Sequence, residues 1–194
     1  MLNSFEEEYK KVKCYWGLKP NRLVVAMLSF KKKGKALDLG VGEGRNAIFL
    51  AENGFDVTGV DISRAGIKKF KAVSKKLNLR VRAIIGDIAT FKFKNKYDVI
   101  VSTVTLHFLK REQIEKVIQN MKKYTKRGGL NVISVFTEGN PQILPYLFKK
   151  GELRKFYGDW KIRKYSEYWS APKTHGPKGK LHRHHLATLI AEKT

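Results

Sequence analysis

An aspartate inside an apolar run, followed by three glycines at alternate positions, is the stretch best equipped for chemistry: Leu37-Asp-Leu-Gly-Val-Gly-Glu-Gly-Arg-Asn46. Glycine is favoured where the backbone takes positive φ or must approach a ligand closely, because no Cβ intervenes. Gly40, Gly42 and Gly44 therefore read as a tight turn that delivers a ligand to a helix start, where unpaired N–H groups point outward. The spacing narrows the ligand. A dinucleotide fingerprint asks for G-x-G-x-x-G, and Arg45 stands where its third glycine would be. No G-x-x-x-x-G-K-[ST] loop surrounds the turn either, which argues against an NTPase-type phosphate loop. A phosphate has no use for the Asp38 carboxylate, whereas an ammonium group does.

Two further carboxylates stand at strand ends. Asp61 closes the run Asp56-Val-Thr-Gly-Val-Asp61, from where it can accept hydrogen bonds from both hydroxyls of a ribose. Asp87 follows Ile84-Ile85-Gly86 and can accept from an adenine amino group, since an ionised Asp is a pure acceptor. Acids at strand ends also serve as caps and turn formers, so the weight lies in their combination with the glycine turn.

The elements that must position these residues alternate. Residues 4–13 and 21–31 read as two helices broken at Trp16-Gly17-Leu18-Lys19-Pro20. A strand then leads into the glycine turn, and a helix through Ala47, Ile48, Leu50 and Ala51 stops at Asn53-Gly54. After the strand to Asp61, Ser63 is an N-cap for a helix with Ile67, Phe70, Val73 or Ser74, and Leu77 on one stripe. Strands follow at 80–85, at 97–104 and at 130–136. Between the last two, a helix with Ile114, Val117, Ile118 and Met121 runs up to Gly128-Gly129. Farther on, 148–156 reads as helix, 161–168 as strand, 169–180 as loop and 181–192 as a last strand. Short connections between alternating strands and helices predict an α/β fold, a doubly wound, mostly parallel sheet with helices on both faces. Such sheets bind ligands beyond the carboxyl ends of their strands. The glycine turn, Asp61, Asp87 and the segment Thr103 to His107 all fall there.

Composition sets outer limits. At 194 residues the chain reads as one domain: an N-terminal helical extension (1–34), a ligand-binding core (35–136) and a C-terminal part (137–194). Its single cysteine, Cys14, makes neither an intramolecular disulfide nor a cysteine metal site, and reads as a small buried hydrophobe. No secretory pattern is visible at the acidic N-terminus, and no apolar run approaches the ~18 residues of a membrane span, so a cytoplasmic, non-membrane protein is expected. Forty Lys and Arg against seventeen Asp and Glu give a net charge of +23. Those cations fall in every segment, which reads as a solvated cationic surface before it reads as a nucleic-acid footprint.

The glycine motif, with Asn53-Gly-Phe-Asp-Val-Thr-Gly-Val-Asp61 behind it, resembles the cofactor-binding half of class I S-adenosylmethionine-dependent methyltransferases. More narrowly, the chain resembles the tellurite-resistance (TehB-type) methyltransferase family. That likeness rests on Gly44-Arg45-Asn46, Leu106-His-Phe-Leu109, Asn120-Met121 leading to Gly128-Gly129, and Phe148-Lys-Lys-Gly-Glu-Leu-Arg154 with Tyr157 and Trp160. The resemblance implies a Rossmann-like sheet of seven strands, the last antiparallel, and S-adenosyl-L-methionine as cofactor. It places Asp38 and the backbone of Gly40, Gly42 and Gly44, with Arg45 and Asn46, at the methionine portion. Asp61 and Ile62 would hold the ribose, Asp87 and Ile88 the adenine, and Thr103 and Val104 the path of the methyl group. His107 is the candidate to position or deprotonate the acceptor, and Tyr15 and Trp16 would close over the pocket.

Members of the family methylate soft, anionic or thiol-like acceptors, and a cationic mouth would suit a tellurite- or selenite-like oxyanion. The stretch 169–185 departs from the family pattern, so His175, Arg183 and His185 are acceptor-side candidates by region alone. His182 and His184 would share a strand face, but a pair without a third ligand reads as a polar face, and no metal is expected. The expected partner is a small-molecule methyl acceptor, with a monomer or homodimer in solution. An RNA or DNA methyltransferase is the alternative that the charge raises. Against it, Ser102-Thr-Val-Thr-Leu-His107 lacks the acidic or Asn-Pro-Pro-aromatic box of amino-group modifiers, and no Pro-Cys nucleophile occurs. A non-catalytic or nicotinamide-binding protein on the same fold is a third reading.

Overall fold

Apolar residues on both faces of nearly every strand are what a sheet covered on two sides requires, and the chain builds one. The computed structural model describes residues 2–12, 14–172, 174 and 180–194. The helices are α1 (Leu2–Lys11), α2 (Arg22–Met27), α3 (Arg45–Glu52), α4 (Arg64–Lys76), α5 (Arg111–Tyr124) and α6 (Glu152–Lys155). The strands are β1 (Gly34–Leu39), β2 (Phe55–Asp61), β3 (Val81–Ile85), β4 (Tyr97–Thr103), β5 (Thr125–Phe136), β6 (Lys161–Trp169) and β7 (His185–Glu192). They form one sheet in the order β3-β2-β1-β4-β5-β7-β6, in which β7 runs antiparallel to both of its neighbours.

Two apolar layers flank the sheet. Leu37, Leu39, Ile100, Ile133, Val135 and Leu189 pack with Ile114, Val117, Ile118 and Met121 of α5 and with Leu153 of α6. Ala36, Val57, Val99, Val101, Val132 and Ile190 pack with Val24 and Met27 of α2, Ala47 and Leu50 of α3, and Ile67 and Phe70 of α4. Strand order reverses between β1 and β4, so the first glycine turn opens at the place where the connections diverge. No helix among the described residues is long and apolar enough to cross a membrane.

Several local expectations need correction. The second helix is shorter than 21–31, ending at Met27 in a turn. Helix α5 ends at Tyr124 rather than at Gly128-Gly129, because Thr125 is already extended and its hydroxyl bonds Met121 O (2.7 Å) and Asn131 Oδ1 (2.8 Å). The two glycines lie inside β5, where pairing with β4 shifts register. Of 148–156 only Glu152–Lys155 is helical. Phe148 is drawn into a bridge with Thr137 and buried, and the helix starts only after Gly151. The last strand begins at His185, where pairing with Trp169 of β6 begins, and not at Leu181. On α4, Ser63 does cap the helix, accepting from Gly66 N at 3.0 Å. Ser74 fills the buried end of its stripe and returns its hydroxyl to Phe70 O, which leaves Leu77 44% exposed.

Candidate active site

The crevice lies over the carboxyl ends of β1, β2, β3 and β4. Its floor is the turn after β1, held down where Gly40 N and Val41 N both donate to Val60 O at 2.8 and 3.0 Å. Gly40 and Gly44 have φ of 77° and 93°, the left-handed region that disfavours side chains. Neither position has room for one: a Cβ would sit 2.3 Å from the Thr105 side chain at Gly40, and 2.2 Å from the Phe70 ring at Gly44. Gly44 is also the N-cap of α3, so no side chain covers the first N–H groups of that helix.

Asp38 lies beneath this turn, 1% exposed, and its Oδ2 has no hydrogen-bond partner among the described residues. Burial pushes its carboxyl up to about 7, Arg45 pulls against that and Asp61 adds to it. A desolvated carboxylate oxygen without a donor is costly, and it suits a cation that arrives with a ligand. Asp61 braces the loops on either side, accepting from Gly42 N at 2.7 Å and Ser63 N at 2.8 Å. Burial nevertheless holds its carboxyl above the ordinary range. Asp87 accepts from Ala89 N at 2.8 Å, fixing the bend after β3.

Gly40, Gly42, Arg45, Asn46, Asp61, Ile62, Asp87, Ile88, Thr103 and Val104 all line the crevice, as does Trp16. Gly44 backs it. Asn46 ties the wall together: its Nδ2 donates to Thr103 Oγ1 at 2.9 Å, and its Oδ1 accepts from Asn21 N at 2.9 Å. Val104 has φ of 56°, unusual for a β-branched residue, and its N–H is held by Ser134 O at 2.8 Å.

Other acceptor-side candidates sit apart from the wall. The turn Leu106–Phe108 tucks the His107 ring under the crevice, fully buried between Phe108 and Phe136, with the latter stacked at 4.2 Å and 8°. Its Nδ1 accepts from Phe136 N at 3.1 Å, which places the proton on Nε2, and Nε2 has no partner among the described residues. Burial, with His184 adding to it, pushes the imidazole down to about 3. His107 is thus a neutral packed ring and not a crevice-lining base, because the single turn that follows β4 points it inward. Tyr15 contributes its backbone, donating to Glu43 Oε2 at 2.7 Å, and its ring stands behind Tyr9 and Trp16. Arg183 donates to Ser170 O at 3.0 Å beside Trp169, and His185 bonds the Thr137 hydroxyl. Both lie beyond β5, outside the wall. His175 lies outside the described residues. His182 and His184 meet through their Nε2 atoms at 3.0 Å, ahead of β7 and not along it. Among the described residues no cluster of three or more His, Cys, Asp or Glu could hold a metal.

The remaining wall was not legible in the sequence. Phe5 and Tyr9 of α1 close one side, Phe5 meeting Phe108 edge-on at 5.2 Å, while the Tyr9 hydroxyl accepts from Trp16 Nε1 at 3.0 Å. Their i, i+4 spacing on one helical face was the available signal. Glu43 anchors the same cover through Tyr15 N and an ion pair with Lys69 at 2.8 Å. Charge is the other surprise. Among the described residues the wall carries Glu43, Asp61 and Asp87 against Arg45 alone, so those residues do not form the expected cationic mouth.

Sheet order and a crevice at the switch point together define a class I methyltransferase fold of the Rossmann-like type, and solved structures agree. The crystal structure of TehB from Haemophilus influenzae superposes with a TM-score of 0.83 at 32% identity, over 90% of this chain and 62% of that one. Magnesium protoporphyrin IX methyltransferase from Synechocystis PCC 6803 with bound SAH shares the fold alone, at a TM-score of 0.69 and 18% identity over 89% of this chain and 80% of that one. The family model of tellurite resistance protein TehB matches residues 6–190, and the chain belongs to that family. A curated relative from Haemophilus influenzae, described as a probable S-adenosyl-L-methionine-dependent methyltransferase TehB, is 36% identical over 163 residues, or 82% of this chain. The chain spans 57% of that relative's length.

Proposed function

We propose that this chain is an S-adenosyl-L-methionine-dependent methyltransferase whose acceptor is a small, soft nucleophile: a tellurite- or selenite-like oxyanion, or a thiolate. The observation that carries the reading is the unpartnered Asp38 oxygen beneath a glycine turn that no side chain can enter. A ligand joining an ammonium group to a nucleoside fits that donor set, and a pyrophosphate does not. In this reading Asp38, Arg45 and the turn backbone hold the amino-acid end. Asp61 receives the ribose hydroxyls, Asp87 and Ile88 flank the base, and Thr103 and Val104 border the path to the acceptor.

When bound, the cofactor would supply an activated methyl on a sulfonium, whose thioether is the leaving group. What remains for the protein is alignment and exclusion of water. Phe5, Trp16, Phe108 and Leu109 supply an apolar cover for that purpose. His107, packed and neutral with Phe136 N donating to its Nδ1, offers the crevice no base. An acceptor that arrives with its lone pair already free therefore suits this site best. Incubating the protein with methyl-labelled cofactor and tellurite, selenite, thiols or RNA tests the reading. Label in a methylated oxyanion or a thioether product is expected, whereas label in RNA alone would replace this acceptor class.

A further inference from the structure

We propose that the end of the sheet opposite the crevice is a docking ridge for the phosphodiester backbone of a nucleic-acid duplex. The inference is independent of the acceptor and of the cofactor. It begins from the charge that the crevice does not use: carboxylates dominate the crevice end, with Glu43, Asp61 and Asp87 in the wall, Asp38 beneath and Glu6 bonded to Ser63.

At the other end, where the parallel strands begin, the sheet order sets cations side by side. Arg80 precedes β3, Lys33 precedes β1, Lys96 precedes β4, Arg127 is the third residue of β5, Lys193 follows β7 and Lys161 opens β6. All but Lys193 are exposed. Most acids there are already engaged: Asp98 pairs with Lys126 at 2.8 Å, Asp159 with Lys122, and Glu192 with Arg163, while Asp56, exposed near the start of β2, interrupts the row between Arg80 and Lys33. The cations crowd one another across strands. Burial lowers the Lys193 ammonium, and Lys96 and Lys122 lower it further. Glu192 is held below the carboxylate range by its bond to Arg163, with Lys161 and Lys31 adding to the effect.

Geometry selects the partner. Six strand spacings of ~4.8 Å make the row roughly 29 Å long, which is about eight base pairs at 3.4 Å each. A line of cations along one sheet end matches the evenly spaced charges of a linear polyanion. Strands of six and seven residues at ~3.3 Å per residue put about 20 Å between ridge and crevice. A nucleotide held on the ridge is therefore a tether and not the methyl acceptor.

Fluorescence anisotropy with labelled DNA and RNA duplexes of about 20 base pairs, titrated across about 50–200 mM salt, tests the ridge. The variant K33E/K96E/R127E is compared with K68E/K71E/K75E on the outer face of α4, which changes net charge equally. The ridge variant should lose at least about tenfold in affinity, and its log–log salt slope should shrink by ~2–3, while the α4 variant stays within about threefold of the parent. Binding to only one duplex type supports the proposal and identifies the polymer. Equal losses in both variants, absence of duplex binding by the parent, or binding to anionic lipid vesicles alone would overturn it. Unchanged S-adenosylhomocysteine affinity in the ridge variant serves as its folding control.

Discussion

Replacing Asp38 with asparagine should stabilise the ligand-free protein in alkaline solution while weakening its hold on the cofactor. The Asp38 carboxyl is raised from 3.8 to about 7 in the folded state, chiefly by burial. Below pH 3.8 both the folded and the unfolded chain carry the proton, and the site has no pH-dependent effect. Between 3.8 and 7 the folded chain keeps a proton that the unfolded chain has released, so stability falls as pH rises, by about 1.36 kcal/mol per unit. Above 7 the loss is complete, on the order of 4 kcal/mol. Arg45 and Asp61 are the charged neighbours that set this balance. Asparagine removes the titration, so the variant-minus-parent stability difference should climb through this window and level off above pH 7. The buried neutral His107 has the opposite sign, since it opposes folding as pH falls below 6.5, but it is common to both proteins and cancels in the difference. Denaturant titrations from pH 4 to 8 give the curve, and calorimetry with S-adenosylhomocysteine should show at least about tenfold weaker binding by the variant, from loss of a charge-assisted hydrogen bond. A stability difference that is flat with pH, or that falls as pH rises, would refute the reasoning.

Asp61→Ala should cost about 100-fold in cofactor affinity, since a charge-assisted pair of bonds is worth about 1.5–3 kcal/mol; unchanged affinity by calorimetry would remove Asp61 from the site. Gly44→Ala should lower stability by about 3 kcal/mol, because its φ of 93° disfavours a side chain and the new methyl meets the Phe70 ring; a denaturation midpoint equal to the parent's would show that α3 shifts freely. Val104→Gly should change stability by less than about 1 kcal/mol, the relief of positive φ offsetting the lost side chain, yet slow methyl transfer; a loss above about 3 kcal/mol would show that the side chain, not the backbone, matters there. With saturating cofactor, kcat for an ionised acceptor should show no inflection near pH 6.5, because His107 stays neutral down to about 3; an inflection abolished by His107→Gln would restore it as a base.

What could be read from the sequence was local. The acid-and-glycine turn, Asp61 and Asp87 are fixed within a few residues of their own strand ends, where spacing alone dictates placement. Of the aromatic cover only Trp16 was readable, because Phe5 and Phe108 meet only once α1 folds back. His107 shows the same limit: one turn after β4 separates a crevice-facing ring from a buried one, and composition carries no trace of which. Gly128-Gly129 looked like a helix stop, yet the hydroxyl of Thr125 had already ended α5. The charge misled for a related reason. A sum of +23 does not say which surfaces carry it, and among the described residues the crevice wall takes only Arg45 from it.

The central claim is that the crevice over Gly40–Gly44 holds a sulfonium nucleoside. Titration calorimetry with S-adenosylhomocysteine tests it most directly. One site per chain with a Kd on the order of micromolar is predicted, together with negligible heat for NADH. Tight NADH binding with none for S-adenosylhomocysteine would contradict the account.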